Sequence, residues 1–412
     1  MLLRLIPAVF ATIGVCGLAA AQTSATSYVS TTGSDGNPGT ASQPFRTIQH
    51  AANLVNPGDT VIVEDGVYTG TGVGTPCSPI TRPIVCLTRG GSSTAVITFR
   101  ARNRGGAKLD GQSNTSTDGI RFLANANYIR VEGFEIYGVG NALGGSSGIE
   151  LYEGGHDVVL THNEIHDVGR LCTDTANGEV AVFVQQPRVR IDANSIHDIG
   201  RFVSGENGCV TAYNATRDHG VYVDGSVDAA APGASQTLIT NNLFYSNKRG
   251  WSIQVYPAAV AGLSVLNNTF AFPNPYQAGQ IILGANTTDA RIINNIFYKP
   301  NGAAITYYRG TQTNLRVTNN VVSGSALFDT VPPGTIVSAN SLTDPLMLNT
   351  TTAPYDFNLS SLSPGINAGA ALVEITTDFS GRSRTDGLLD IGAYEYGIRP
   401  PAPPKNLRII SP

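Results

Sequence analysis

Charged residues are scarce in this chain: 14% of its 412 positions are Asp, Glu, Lys or Arg, and lysine occurs only at 108, 248, 299 and 405. The formal net charge of −4 gives no basic field, which excludes a nucleic-acid partner on electrostatic grounds. Beyond residue 21 no apolar run is long enough to cross a bilayer, so no membrane span is expected in the mature chain. G-x-S-x-G, H-E-x-x-H and a Walker loop are absent, which removes the chemistries those phrases carry. There is no D-x-D-x-D-G loop and no GGxGxD array for calcium. Cysteine is sparse, with five residues, and Cys16 falls in an N-terminal segment that reads as an export signal. There Arg4 supplies the positive end, Leu5 to Leu18 the apolar core, and Ala19-Ala20-Ala21 a small-residue cleavage site. The mature protein is therefore expected to be secreted, extracellular or periplasmic, and monomeric.

The four remaining cysteines allow three pairings. Cys77 and Cys86 enclose a short Pro-rich loop and are expected to pair, which leaves Cys172 for Cys209. The latter two each follow a copy of HDVGR or HDIGR, which would put them one coil apart. An oxidising compartment agrees with export.

What the chain has in quantity is glycine (46 residues), Asn, Thr and Ser, organised in a repeat. Residues 119–139 and 148–168 align without a gap at a shift of 29, placing Ile120 on Ile149, Val131 on Leu160 and Ile136 on Ile165. Each copy holds two short apolar-alternating runs joined by a polar turn. The unit recurs, with Val180 and Ile191, Ile253 and Val265, Ile281 and Ile292, and Ile305 and Val317 as its paired positions. One position of the second run carries Phe134, Asn163, Asn194, Asn242, Asn268, Asn295 and Asn320, preceded by another Asn from Asn241 onward. Stacked coils would line these residues into Asn ladders at a bend. A period of this length, with low charge and many β-branched residues, indicates an all-β solenoid.

Residues 28–70 contain Phe45, Ile48, Ala52 and Val55 on one face of a short helix, ended by Asn56-Pro57-Gly58 and followed by the strand TVIVEDGVY. Together with SLSPGINAGA and DIGAYEYG near the C-terminus, this stretch resembles secreted bacterial right-handed parallel β-helix proteins of the pectate lyase-like superfamily. That superfamily includes pectate and alginate lyases, chondroitinase B-like enzymes and mannuronan epimerases. The resemblance implies a parallel β-helix whose N-terminal helix plugs the open end and hides unpaired strand edges. It divides the chain into a signal (1–21), a cap with the first coils (22–118), central coils (119–340), C-terminal coils with a cap (341–397) and a Pro-rich tail (398–412).

Insertions direct attention to one region. Successive ladder positions lie 29, 31, 48, 26, 27 and 25 residues apart, so extra residues fall at 169–179 and 199–236. Such insertions map to one face of a solenoid, often the binding face. Strand periodicity puts Ile149/Leu151, Val180/Val182, Val221/Val223 and Ile253/Val255 inside. It leaves an outward row of Arg121, Glu150, Ala181, Tyr222, Gln254, Ile282 and Thr306, with Glu179, Gly220 and Ser252 in the row before it. A groove from Glu150 to Gln254 is expected.

Two segments concentrate chemistry there. RDHGVYVDG carries Asp218, His219, Tyr222 and Asp224; NKRGWSIQVYP, one coil on, carries Lys248, Arg249, Trp251, Gln254 and Tyr256. His219 or Tyr222 is the candidate base or acid, and Lys248 or Arg249 the cation that neutralises an anionic substrate. Trp251 and Tyr256 would stack on sugar faces, with Glu150, Glu179, Asp218, Asp224 and Gln254 completing the site. The plain alternative is a capped turn, a solvated charge pair and a packed Trp. His166-Asp167 and His197-Asp198 could hold a metal or a sugar, but repetition of the whole phrase favours a structural turn. Asp174, Glu179 and Glu206 are candidate ligands for calcium, an ion that only the superfamily suggests.

The resemblance implies a polysaccharide partner and, first, a lyase that cleaves an acidic glycan by β-elimination. A glycoside hydrolase would need two carboxylates drawn from Glu150, Glu179, Asp218 and Asp224. A non-catalytic glycan-binding solenoid is the third reading. The DPHE phrase of mannuronan epimerases and the multi-Asp cluster of the best-known pectate lyases are not found.

Overall fold

The computed structural model describes residues 24–70, 77, 82–140, 145–172, 178–210, 216–228, 231–247, 249–384 and 388–397. The signal segment, the Pro-rich tail, Asp174 and Lys248 lie outside these residues. Each coil contributes three short strands, because polar turns interrupt the apolar alternation every few residues. The strands stack into one 11-stranded and two 9-stranded sheets. Ile149 pairs with Ile120, Leu160 with Val131 and Ile165 with Ile136, all in parallel and in the register that the 29-residue shift predicts. The result is a parallel β-helix with one continuous apolar interior. Ile149, Val182, Val221, Ile253 and Ile281 are fully buried in it, each contributing about 1.5–3 kcal/mol of burial energy.

The register departs from expectation at the strand Glu179–Val184. Ile149 pairs with Val182 and Leu151 with Val184, so the interior pair is Val182/Val184 and not Val180/Val182. Ala181 faces the core, fully buried, at the position of Gly148 and Gly220 in the neighbouring coils. Val180 thus lies on the groove side while Ala181 and Val182 both face inward, a local break in alternation that a regular period cannot show.

The Asn ladder forms and reaches one coil further than expected, to Asn340. Asn163, Asn194, Asn242, Asn268, Asn295 and Asn320 each donate from Nδ2 to the Oδ1 of the next member, at 2.9 to 3.1 Å. The same Oδ1 accepts the backbone N–H of the preceding member, from Phe134 onward. The preceding Asn of each later pair, Asn241, Asn267, Asn294 and Asn319, has φ of 53° to 58°. Asn tolerates this left-handed conformation better than most residues, which accounts for the recurrent Asn-Asn phrase. Asn268→Ala strands the N–H of Asn242 and the carbonyl of Ile239. At about 1–3 kcal/mol per buried unsatisfied group, a clear fall in melting temperature is expected, measured by calorimetry; an unchanged melt would show the ladder to be energetically neutral.

Both disulfides expected from spacing are present, Cys77–Cys86 and Cys172–Cys209. At the N-terminal end the helix Ile48–Leu54 starts at Thr47, whose hydroxyl caps His50 N–H. Phe45, Ile48, Ala52 and Val55 are all buried. Gln49 donates to Cys86 O at 2.9 Å and accepts from Cys86 N–H at 2.8 Å. Its amide thus takes the place of a neighbouring strand on the edge strand Val85–Leu87, a direct blunting of a sheet edge.

The C-terminal segment was expected to form further coils and a cap. Past Ile336–Ser338, the last strand of the 11-stranded sheet, it runs back along the outside of the solenoid instead. Phe357 and Ile391 pack on Leu243, Ala271, Ile296 and Val321, which belong to successive coils. Asn267 and Asn294 donate to Asp390 O and Ala370 O of this segment. The outward apolar residues on those turns are what it covers.

Candidate active-site groove

The sheet from Val85–Leu87 to Ala326–Phe328 carries the groove. Its six relevant strands are Ser146–Leu151, Glu179–Val184, His219–Val223, Ile253–Val255, Ile281–Leu283 and Ala303–Tyr307. Across them the register aligns Glu150, Phe183, Tyr222, Gln254, Ile282 and Thr306. Phe183 therefore occupies the place assigned to Ala181. A preceding row aligns Asp118, Ser147, Val180 and His219.

Two adjoining cavities lie over these rows. The larger, about 650 Å³, is lined by Arg217, His219, Tyr222, Trp251, Gln254, Tyr256 and Tyr308, with Thr306 and Gln277. The smaller, about 320 Å³, is lined by Ser146, Ser147, Glu150, Val180 and Phe183. Gly178, Arg217 and Tyr222 line both, so the two form one groove crossing the coils. From Glu150 to Thr306 it spans five coil steps, about 24 Å at ~4.8 Å per step.

Aromatic side chains make much of its floor. Phe183 and Tyr222 stack at 5.3 Å, and His219 and Trp251 at 5.9 Å between ring centroids. Trp251 is fixed by its indole N–H donating to Ala278 O at 2.7 Å. His219 Nδ1 accepts the backbone N–H of Trp251 at 3.2 Å, which leaves the ring proton on Nε2. Burial, with Arg201 nearby, pushes the imidazole down to about 3, so it is neutral near pH 7. Burial, with Asp224 nearby, raises the Tyr222 phenol well above its usual range. As they stand, Tyr222 is a protonated phenol and His219 a neutral ring that donates a hydrogen bond from Nε2, and neither is a base. Gly250 permits this close packing, since a Cβ there would lie 1.8 Å from Asp218 O and 2.5 Å from His219 Nδ1.

Other candidates lie elsewhere. Arg249 is buried under the 200s insertion, donating to the carbonyls of Arg201 and Phe202, and does not line the groove. Asp218 is fully buried in an ion pair with Arg201, which is itself inaccessible (2.6 Å). It also accepts the backbone N–H groups of Glu179 and Arg201. Asp224 caps a turn by accepting from Ser226 N–H. Glu179 is fully buried, and among the described residues neither of its carboxyl oxygens, nor the Ser146 hydroxyl, has a hydrogen-bond partner. These positions serve the structure around the groove because a strand that starts beneath an insertion buries its first residues.

Glu150 does reach the groove. Burial, reinforced by Asp118, pushes its carboxyl up to about 8, and Ser147 Oγ donates to it. Glu179 is pushed up to about 9 by burial and Asp218. A carboxyl whose folded pKa is raised contributes stability that is full below its unfolded value and is lost as pH rises through the folded value. Stability is therefore expected to fall between about pH 4.5 and 9, and Glu179→Gln to flatten that decline. Denaturant midpoints across this range check it; an equally steep decline in the variant would sink the assignment.

The His-Asp phrases stack on a different sheet. Tyr137, His166, His197 and Tyr245 form a ring column with spacings of 5.3, 4.9 and 4.5 Å. His166 bonds Asp167 and Glu135, and His197 bonds Asp198 and Glu164, so both nitrogens of each ring already have carboxylate partners. Those bonds raise the His197 imidazole to about 9 against its burial. The phrase is structural. Glu206 pairs with Arg170 at 3.2 Å and accepts Val203 N–H. Among the described residues no group of three or more His, Cys, Asp or Glu side chains is placed to hold a metal ion.

Sequence reading missed Arg217, Phe183 and Tyr308. Arg217 begins the very phrase that carries His219, and its position at the end of the longest insertion was a usable signal. Tyr308 had none, because it lies beyond the strand that closes the row.

A family model described as the Pel9A-like, right handed beta helix region matches residues 27–227. The crystal structure of pectate lyase Pel9A is similar, with a TM-score of 0.56 at 16% identity, over 91% of this chain and 97% of that one. The protein has the right-handed parallel β-helix fold, and its N-terminal half is similar to the Pel9A-like family. A glycoside hydrolase structure also resembles this β-helix protein, with a TM-score of 0.50 at 7% identity, over 77% of this chain and 97% of that one. Both likenesses concern the fold. In sequence, the uncharacterized protein YwoF of Bacillus subtilis (strain 168) is 32% identical over 101 residues, which is 24% of this β-helix chain and 17% of YwoF.

Proposed function

We propose that this protein is a secreted lyase that cleaves a uronate-containing glycan by β-elimination. The observation that supports it best is the groove itself: an arginine, a phenol, a hydrogen-bonding imidazole and an aromatic floor share one cleft across the coils. Arg217 neutralises the uronate carboxylate, which makes the C5 proton more acidic. A base removes that proton, its bonding pair forms the C4–C5 double bond, and the C4–O bond breaks. Tyr222 protonates the departing oxygen, and neutral His219, offered by the sequence reading as base or acid, supplies a hydrogen bond from Nε2–H. Lys248, which the sequence reading offered with Arg249 as the neutralising cation, is proposed here instead as that base. Trp251, Tyr222 and Tyr256 offer rings for sugar faces, and Gln254 a polar contact. The two disulfides and the N-terminal signal support export.

The hydrolase reading finds less support. Of its four candidate carboxylates, only Glu150 lines the groove, and a glycosidase needs two. Similarity in fold to the pectate lyase Pel9A agrees with the lyase reading. A panel of uronate polymers, assayed for both near-ultraviolet absorbance and new reducing ends, tests it. Unsaturated product is expected. Reducing ends without absorbance would make the protein a hydrolase, and binding without product a non-catalytic solenoid.

A further inference from the structure

We infer that the open C-terminal end of the solenoid accepts one more β-strand, and that its occupant is the chain's own tail at Asn406–Ile410. The two ends of the molecule differ. At the first, the helix Ile48–Leu54 and the Gln49 amide cover the core and blunt a strand edge. At the other, Ile336–Ser338 ends the 11-stranded sheet, and among the described residues no strand pairs with its far edge. The register carries the interior row from Val265 through Ile292 and Val317 to Val337. The first three are at most 1% exposed, whereas Val337 is 43% exposed and Ile336 beside it 45%. An apolar strand with an open edge is a template for pairing, by the same main-chain bonds that hold the coils together.

The tail carries the phrase that this position takes. Asn406-Leu407-Arg408-Ile409-Ile410 repeats Asn314-Leu315-Arg316-Val317-Thr318, whose last three residues form the strand next to Ile336–Ser338. Asn, Leu and Arg are identical, and a β-branched residue follows in both. In that register Arg408 lies over Ile336, Ile409 over Val337 and Ile410 over Ser338, so Ile409 falls in the interior row. A slip of one residue would put Arg408 there instead, which fixes the register. The backbone bonds continue as well. Arg291, Arg316 and Ile336 donate their N–H groups to the carbonyls of Leu263, Ala290 and Leu315, each one coil earlier. Arg408 N–H would donate to Thr335 O as the next of that series. Pro412 then falls on the position of the Asn ladder, where it has no N–H for a further Asn to accept.

The tail also starts within reach. Gly392 N–H donates to Asn294 O at 2.8 Å, and Asn294 lies two coils before Ala339. The added strand stands one step further, about 14 Å from Gly392 along the solenoid axis at ~4.8 Å per step. Residues 398–405, rich in proline, span roughly 25 Å at ~3.1 Å per residue. Two copies meeting end to end would bring no such phrase to either edge.

Hydrogen exchange of the full chain, read by mass spectrometry over residues 335–339, tests the pairing. The wild type is expected to exchange there at least about tenfold more slowly than Ile409→Asp, whose charge cannot enter the interior row. Arg408→Ala, on the outward side, should keep the protection, and exchange over His219–Val223 should be the same in all three proteins. Ser338→Cys combined with Ile410→Cys should form a disulfide within one chain, since facing residues of paired strands lie within bridging distance. Equal exchange in wild type and Ile409→Asp overturns the pairing, and equal loss of protection in both variants overturns the register. Protection that disappears on dilution, or a cross-link between chains, makes a second copy the occupant and overturns the assignment to the chain's own tail.

Discussion

Replacing Arg217 by alanine is expected to lower kcat/KM on an acidic glycan by about 10²–10³, the loss typical of removing one preorganised charge donor from a transition state. The fold should survive, because the side chain is only half-buried and lines open cavities. Arg217→Lys should recover part of the rate, since lysine keeps the charge and loses the bidentate fork. The distinguishing feature is how the loss divides. If Arg217 stabilises the carbanion, kcat falls most; if it only binds the carboxylate, KM rises and kcat is kept. Initial rates of absorbance increase over a substrate series separate these. Activity within about threefold of wild type would move the charge stabilisation to another residue.

The second large effect concerns stability. Arg201→Met removes the cation from a fully inaccessible pair, leaving Asp218 charged and buried beside Glu179. Breaking a buried pair from one side costs about 3–5 kcal/mol. A correspondingly lower denaturant midpoint is expected. Replacing Arg201 and Asp218 together should cost less than Arg201→Met alone, because no orphan charge remains. The pair also has a positional consequence. Asp218 accepts the backbone N–H of Arg201 and receives its guanidinium at Nε and Nη2, which ties the 200s insertion to the start of the His219 strand. Loosening it should therefore disturb the groove at Arg217 and His219. A midpoint within about 1 kcal/mol of wild type would mean that water or local rearrangement compensates the exposed Asp218.

Much of the architecture could be read from particular residues. The Ile120–Ile149 and Val131–Leu160 matches predicted true strand neighbours, because every coil must bury the same in-pointing positions. The Asn phrases predicted a ladder, because identical amides stacked one coil apart bond each other. Glu179–Val184 shows the limit of this reasoning. Val180, Val182 and Val184 alternate alike, and only pairing with the neighbouring strand decides which two face inward. The site was legible in location and less so in detail. Arg249 and Arg217 both border strands below the insertion, yet one is buried against carbonyls and the other lines the groove. Nothing in one-dimensional spacing separates them.

By itself the sequence determined that this chain is an all-β solenoid, where its coils repeat, which cysteines are spaced to pair and along which coils a groove is expected. These properties follow from periodic burial and from spacing, both local in the chain. Only the tertiary structure decided which polar residues face that groove, that His219 is neutral and that Glu150 is protonated below about pH 8. Those outcomes depend on burial and on partners brought from elsewhere in the chain, such as Arg201 beside His219 and Asp118 beside Glu150. Such neighbours exist only once the coils have stacked.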